Sequence, residues 1–585
     1  MFYNLNDSLK NRRKLIPFLL LSAVPIFLFF YVFFQFISNI PFQDDYDALL
    51  EPVTKFVQMS SFSWAEFVKI IWTQDDERRI VVDRLVAILS YSLVGTLDLR
   101  LQAFLGLLFL LGIFYLFCRI IRGANLPASL VLICALLLFH IQYYETIFWA
   151  MIPLQHVVVY FFALLSFYHL YSTKNTRLIL ALFTAILAIL SDVSGTFVLP
   201  AGLLLLGLQR RWRDAILWAL VIGYMVLLYY HNFTVPAFRP KLSDNFQHPD
   251  FIIGRILTIS GVSFDLNTVL PPTLRLGMVM LVGGVLWGVL IYYSFGLLKM
   301  AFSRSNWRFS QWESALWGGL FLFSITLLAL AVGRAVEGIE PLLISRYKHI
   351  GFIWLILVLL LVMSKVRPTA QRRFSRVAMG VSVGIFLFSY FQYLAPLDYY
   401  YKERYTDIYG WEKNRAIPSS PIYLSVRPAV DTITIQAIRA GVYRLPERYF
   451  FDEPYIQQND IIPLKLEHVG GHTLTFTNDS FSRANGKNNG AFVVLKSATQ
   501  QHIIPVKQNR YSLKSYLFSL GKNYHANGFS ATLASKYLLN NQTYQVSVLE
   551  ISGEQKVLHP TRTEIQVNQG VVRVVPTVPV GTTRS

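Results

Sequence analysis

The chain of 585 residues has only two cysteines, Cys118 and Cys134, and both lie inside apolar runs. Neither a disulfide framework nor a cysteine metal site can be built from them, and they leave the redox compartment open. Charge is also scarce, at 15% of residues, and acids are outnumbered, with 34 Asp and Glu against 53 Lys and Arg. The sequence has no Gly-rich phosphate loop, no Ser/His/Asp arrangement, no HExxH, no internal repeat and no low-complexity run. Those absences remove the nucleotide-loop, serine-nucleophile and zinc-protease readings.

What fills the chain instead is apolar: 54% hydrophobic residues, 15% aromatic residues and a mean hydropathy of +0.43. Repeated runs near the length of a bilayer crossing point to an α-helical polytopic membrane protein. The first run, 15–37, follows Lys10, Arg12, Arg13 and Lys14 without a small-residue cleavage site, so it reads as a retained transmembrane helix rather than a signal peptide. Further spans read as 99–118, 126–146, 152–172, 178–191, 196–209, 215–231, 274–297, 312–333, 349–364 and 377–394, eleven in all. The pair 178–191 and 196–209 is short and reads alternatively as one broken helix.

Basic residues near helix ends mark the cytoplasmic side. The segments this parsing places inside are 1–14, 119–122, 173–177, 210–214, 299–308 and 365–376; they hold 19 Lys and Arg beside only Asp7 and Asp214. Topology thus accounts for most of the net charge of +19, and a nucleic-acid reading loses its main support. The N-terminus is then cytoplasmic and the C-terminal region extracytoplasmic. Two segments are not counted as spans. The stretch 80–96, interrupted by Asp83 and Arg84, reads as a helix at the outer interface, and 251–264, with Arg255, as a re-entrant or surface helix.

After Leu394 the sequence turns polar and aromatic. The expected organisation is a transmembrane domain over 1–398 with a large first outer loop at 38–98, a connector over 399–453 with a helix near Pro428 to Arg439, and an outer β-sandwich-like domain over 454–585. Alternation in 472–477, 491–495 and 543–549 gives period-two strands, and Asn485-Gly486, Asn489-Gly490, Asn527-Gly528 and Ser552-Gly553 give turns.

Polar residues collect on the outer face. The first outer loop supplies Asp44, Asp45 and Asp47, then Gln74-Asp75-Asp76-Glu77-Arg78-Arg79; later loops supply Glu145, Trp149, Gln155 and His156, then Arg334, Arg346, Tyr347, Lys348 and His349. Arginines abutting apolar spans need a partner or a ligand, and Arg334 and Arg346 on one loop suit a phosphate. The bland alternatives are snorkelling for the arginines, a solvated loop or an N-cap for the aspartates, and packing for His140 and His156. The inventory suits sugar transfer from a lipid-linked phosphate: the leaving group is already anionic, one carboxylate takes the acceptor's proton, and cations hold the phosphate. The three aspartates also resemble a divalent-cation site, although carboxylate spacing alone does not define one.

At these residues the chain resembles the GT-C class of integral-membrane glycosyltransferases. The matching features are Asp44-Asp45 right after the first span, the acid/Arg stretch Asp75-Asp76-Glu77-Arg78-Arg79, the late Arg346-Tyr347 and an external C-terminal domain. It is similar to bacterial members with a Glu-His-Arg-Ile-like stretch, here Glu77-Arg78-Arg79-Ile80 with a different second residue. The resemblance implies a polyprenyl-phosphate sugar donor and a glycan, lipid or protein hydroxyl as acceptor, in the cytoplasmic (inner) membrane. It implies Asp44 or Asp45 as general base and Arg78, Arg334 and Arg346 as phosphate clamp, with Glu145 and Tyr347 lining the sugar site. Asp47, Glu77, Arg79, His156 and Lys348 complete the candidate substrate-binding set. No cofactor is required beyond a candidate divalent cation. Competing readings are a transporter or flippase of lipid-linked glycans and a non-catalytic assembly protein of the cell envelope; charges crowded on one face rather than through the span interiors favour the enzyme. A reporter fused after Ser585 should be active only outside the cytoplasm; a cytoplasmic signal would overturn the span parity.

Overall fold

The computed structural model describes residues 3–576 apart from 238, 267–269, 304–306, 421–422, 470–471, 485 and 520–523, so Asn485 of the first expected turn lies outside the described residues. By contact the chain divides into two units, Met1–Phe34 with Asp47–Tyr393, and Gln35–Tyr46 with Leu394–Ser585.

The first unit is helical. Among the described residues nine helices are long and apolar enough to cross a membrane: Leu15–Phe36, Leu99–Gly123, Ser129–Phe148, Pro153–Leu170, Trp212–Tyr230, Pro272–Ser303, Gln311–Gly333, Ser345–Lys365 and Pro368–Asn414. The two stretches expected as the shortest spans are shorter apolar helices, Asn175–Ser191 and Val193–Leu208. Asp192 separates them: its backbone is extended, and its carboxylate caps the next turn by accepting from the Ser194 N–H at 2.9 Å. Many side chains left uncovered on these helices are apolar, Phe27, Leu227, Leu281 and Tyr292 among them. A water-soluble fold would bury such a surface, so this is a membrane-embedded helical protein.

Between the first two spans lie three short helices, Glu51–Val57, Trp64–Trp72 and Val81–Val94. The last has 14 residues, too few for a crossing, and is inverted in polarity. Leu85, Leu89 and Leu93, spaced by four, face outward, while Asp83, Arg84 and Ser90 are buried.

Helices Pro249–Gly261 and Pro272–Ser303 meet glycine to glycine. A Cβ on Gly261 would run into the Val279 carbonyl and stand 2.7 Å from the Gly283 nitrogen, and one on Gly283 would run into the Leu257 carbonyl. Small residues let backbones approach where apolar lipid offers no hydrophobic drive to association.

The apolar run expected over 377–394 belongs to a 47-residue helix, Pro368–Asn414, that continues past the change to polar sequence. From Leu397 a new stripe begins, with Leu397, Tyr401, Arg404, Ile408 and Trp411 all buried at helical spacing. The connector's helix is Tyr423–Arg439.

The remainder of the second unit is mainly β: β1 Ile456–Gln457, β2 Lys465–Val469, β3 Thr473–Asn478, β4 Gly490–Lys496, β5 Gln501–Pro505, β6 Lys507–Arg510, β7 His525–Ala534, β8 Gln542–Ser552, β9 Gln555–Asn568 and β10 Val571–Pro576. One sheet runs β1-β9-β8-β4-β5 with β10 also on β9, and the other runs β2-β3-β7-β6. Alternation sets the inward face of β3, where Leu474, Phe476 and Asn478 are buried, whereas β4 is buried from Gly490 through Leu495. The β8–β9 hairpin pairs Ser552 with Gln555 across a two-residue turn, and Gly553 takes the positive φ of +62° that this turn requires.

Gly283→Leu should lower the thermal midpoint of the detergent-solubilised protein, with a cost of about 1–3 kcal/mol or more from overpacking. Gly288→Leu on the same helix, where a Cβ meets nothing within 4 Å, should leave it unchanged. Equal shifts would refute the close glycine contact.

Candidate polar site of the loops

The acid/Arg stretch forms a tight turn in the first unit. Asp75 and Arg78 exchange backbone hydrogen bonds of 2.8 and 2.9 Å, with Asp76 at φ +46°, and the Arg78 Nε lies 3.1 Å from the Asp75 carboxylate. Glu77 is held between two guanidinium groups, 2.9 Å from Arg239 and 2.7 Å from Arg334, and Arg239 reaches Asp76 at 2.6 Å. Arg334, expected as part of a phosphate clamp, is thus already engaged by a carboxylate.

Arg79, expected to contact substrate, is bonded within the fold. It is buried, and its guanidinium donates to the carbonyls of Tyr229 (2.8 Å), His231 (2.8 Å) and Trp72, while its own N–H meets the Tyr229 hydroxyl at 2.9 Å. Lys348 is also engaged within the fold. It is 1% exposed, with Nζ 2.5 Å from Asp265, and it also donates to the Tyr393 hydroxyl. Arg275 completes the group on the same carboxylate. Burial alone would raise the Asp265 carboxyl, but Arg275 and Lys348 hold it below the usual carboxylate range.

A different set gathers around His156. Pro153–Val157 is a wide π-type turn, and it carries both Gln155 and His156. Gln155 Nε2 donates to the Asp192 carboxylate at 2.6 Å. The His156 ring stacks on that of His349 at 5.4 Å, and the charges acting on His156 are those of Asp192, Arg78 and Arg346. Asp83 belongs to the same field: Arg78, Asp192 and Asp75 all act on it. Glu145 and Arg346 are joined through the backbone, the Arg346 N–H donating to the Glu145 carboxylate at 2.9 Å, and Thr146 donating to the Arg346 carbonyl at 3.0 Å. The Arg346 guanidinium lies 5.4 Å from the Tyr347 ring centroid and, among the described residues, makes no ion pair.

This cluster holds several buried polar atoms with no hydrogen-bond partner among the described residues: both carboxylate oxygens of Asp83, Gln155 Oε1, His156 Nδ1, His349 Nε2 and Arg346 Nε. Such atoms are costly in a folded core unless a ligand or water meets them. Their concentration in one place marks the first unit's candidate site.

In the second unit, Asp45 is fully buried and accepts the Phe42 N–H at 2.9 Å, a capping contact; Asp44 is half-buried. Asp47, the first residue of the other unit here, is exposed. The Phe42 ring carries the Arg404 guanidinium 3.6 Å from its centroid, and Arg404 pairs with Glu403 at 2.7 Å and Asp407 at 3.2 Å. Asp407, Arg404 and Asp45 all act on the buried hydroxyl of Tyr46, which burial first and then Tyr443 push above its ordinary range.

Of the expected residues, the structure therefore groups Arg78, Glu145, His156, Arg346 and Tyr347, and brings in Asp83, Gln155, Asp192 and His349. Asp83 and Asp192 carried a signal as isolated acids beside apolar runs; their burial did not show in the sequence. Among the described residues no three His, Cys, Asp or Glu side chains converge on a metal position. No protein-family model, curated protein or solved structure matches the chain.

Burial holds the Asp83 carboxyl well above its usual range; Arg78 opposes this, and Asp192 and Asp75 add to it. The unfolded carboxyl loses its proton near a pH of about 3.9, whereas the folded one keeps it to higher pH. Folding then takes up a proton in that window, so stability falls as pH rises across it, by up to about 1.4 kcal/mol per unit. Asp83→Asn should flatten this slope in thermal unfolding of the solubilised protein. An unchanged slope would mean that Asp83 is ionised in the fold.

Proposed function

We propose that this protein is a glycosyltransferase of the cytoplasmic membrane, with a GT-C-like arrangement of about eleven spans and a β-sandwich-like domain outside. It moves a sugar from a polyprenyl-phosphate donor to a hydroxyl acceptor (glycan, lipid or protein) at the outer face. The observation that supports this best is Arg346, a guanidinium without an ion pair among the described residues, in the group around His156 to which the unpartnered carboxyl of Asp83 is linked through Arg78 and Asp192. A cation awaiting an anion and a carboxyl awaiting a proton donor are the two parts that the reaction needs.

In that reaction the acceptor oxygen attacks the anomeric carbon as its bond to the phosphate oxygen breaks. The bonding pair leaves with the polyprenyl phosphate, an anion that needs no proton, and the acceptor's proton passes to a carboxylate of the first outer loop. Arg346 holds the leaving phosphate, with Arg78 contributing to the field. Asp44 and Asp45 remain candidates for the base, and Asp83, which lies in the same loop, joins them in its ionised form, its raised pKa making that form the stronger base.

Asp44→Asn, Asp45→Asn and Asp83→Asn should each insert into the membrane, and at least one should lose about 10²–10⁴-fold in transfer from a polyprenyl-phosphate sugar. Arg346→Gln should lose about tenfold or more, and Arg346→Lys should recover part of it. Full activity in all three Asn variants would sink the general-base assignment; an indifferent Arg346→Gln would sink the clamp.

A further inference from the structure

The three short helices of the first outer loop enclose a cleft of about 290 Å³, lined by Glu51, Lys55, Glu66, Lys69, Thr73 and Arg84 among others. At its wall stands Arg84, only 2% exposed. Its Nη1 donates to the carbonyls of Ile70 (3.5 Å) and Thr73, its Nε is buried without a partner, and it makes no ion pair among the described residues. Burial lowers its pKa, with the surrounding acids Asp75, Asp83 and Glu51 opposing. Lys55 is paired with Glu51 at 2.8 Å, whereas Lys69 has no ion pair among the described residues. With Glu66 set against Lys69, the surplus charge is that of the buried Arg84.

The outer faces of the same helices are apolar. Trp64 is 71% exposed, with Phe62 edge-on at 5.0 Å, and Val68 follows one turn later. Leu85, Leu89 and Leu93 form the second stripe, with Leu93 78% exposed. A cationic cleft flanked by outward-facing aromatic and aliphatic stripes matches an amphiphile, anionic at one end and apolar at the other.

We propose that this cleft binds a phosphate group presented by a membrane lipid, the phosphate meeting Arg84 and Lys69 and the chains lying along the Trp64–Val68 and Leu85–Leu93 stripes. None of the cleft's lining residues is one assigned to the His156 cluster, and the proposal does not depend on the transfer reaction. Phosphate is the shared chemistry; its sources are a lipid headgroup and the free ion, and the two are separable. A mixed-charge lining also explains why the cleft would select a compact phosphate over a bulky polyanion: Glu51 and Glu66 repel negative charge placed beyond the reach of Arg84.

The test uses the full chain in detergent with a diazirine-bearing phosphatidic acid, the matching diazirine-bearing diacylglycerol, and inorganic phosphate as competitor. Phosphatidic acid should label peptides within 51–93 about tenfold more than diacylglycerol, and Lys69→Gln and Arg84→Gln should each cut that labelling several-fold to tenfold. Lys69 belongs to an exposed helix, so its variant keeps the test alive if Arg84→Gln does not fold. Displacement of the label by inorganic phosphate alone would assign the site to the free ion instead of a lipid. Equal labelling by diacylglycerol, or unchanged labelling in Lys69→Gln, would overturn the proposal.

Discussion

A guanidinium, ammonium or carboxylate held away from water costs several kcal/mol unless another polar group answers it, and the loops between the apolar helices are built around that requirement. Arg79 is answered by three carbonyls, and Arg255 by the carbonyls of Gly338 and Leu330. Arg211 takes Asp214 at 2.6 Å and the Ser172 carbonyl at 2.7 Å. Asp265 takes two cations at once. These arrangements fix where loops attach to helix ends, because a carbonyl at a helix C-terminus has lost its own intrahelical partner and welcomes a cation. Against that rule Asp83, with neither carboxylate oxygen partnered among the described residues, and Arg346, with no ion pair among them, stand apart.

The helices were legible because apolar runs of bilayer length leave few alternatives, and apart from Pro368–Asn414 their ends moved by only a few residues between expectation and structure. The break at Asp192 was legible as a short pair of runs, but its cause was not. A single aspartate between apolar stretches reads equally as a loop residue, and only its bonds to Ser194 and Gln155 reveal a buried cap. Burial of loop charges was illegible for a related reason: hydropathy scores Arg78, Arg79 and Asp83 alike as polar, while their fates depend on helices far away in sequence, as when Arg79 meets Tyr229.

In the second unit, period-two alternation located β3, β4 and β8, each with one face or both in the core. It missed β5 and β9 as separate strands, and β6, whose four residues are Lys, Gln, Asn and Arg, offers no apolar pattern at all. The long helix through Asn414 was missed because the stripe that sustains it changes character at Leu397. Membrane helices are apolar on many sides; an amphipathic helix is apolar on one, and a composition window reads that transition as an end.

Arg346 and Lys348 show most clearly how position on a helix decides chemistry. They are two residues apart at the start of Ser345–Lys365, about 200° apart around the axis, so they cannot share surroundings. Lys348 is directed into a ready-made anion at Asp265 and is spent there. Arg346 keeps its backbone tied to Glu145 and Thr146 and its guanidinium over Tyr347, an aromatic face that stabilises a cation without neutralising it. A cation held in place by its main chain and a ring, with its charge still to be matched, is preorganised for an incoming anion in a way that a salt-bridged cation is not. Of two neighbouring basic residues that look equivalent in the sequence, the fold therefore pairs Lys348 and leaves Arg346 without an ion pair among the described residues.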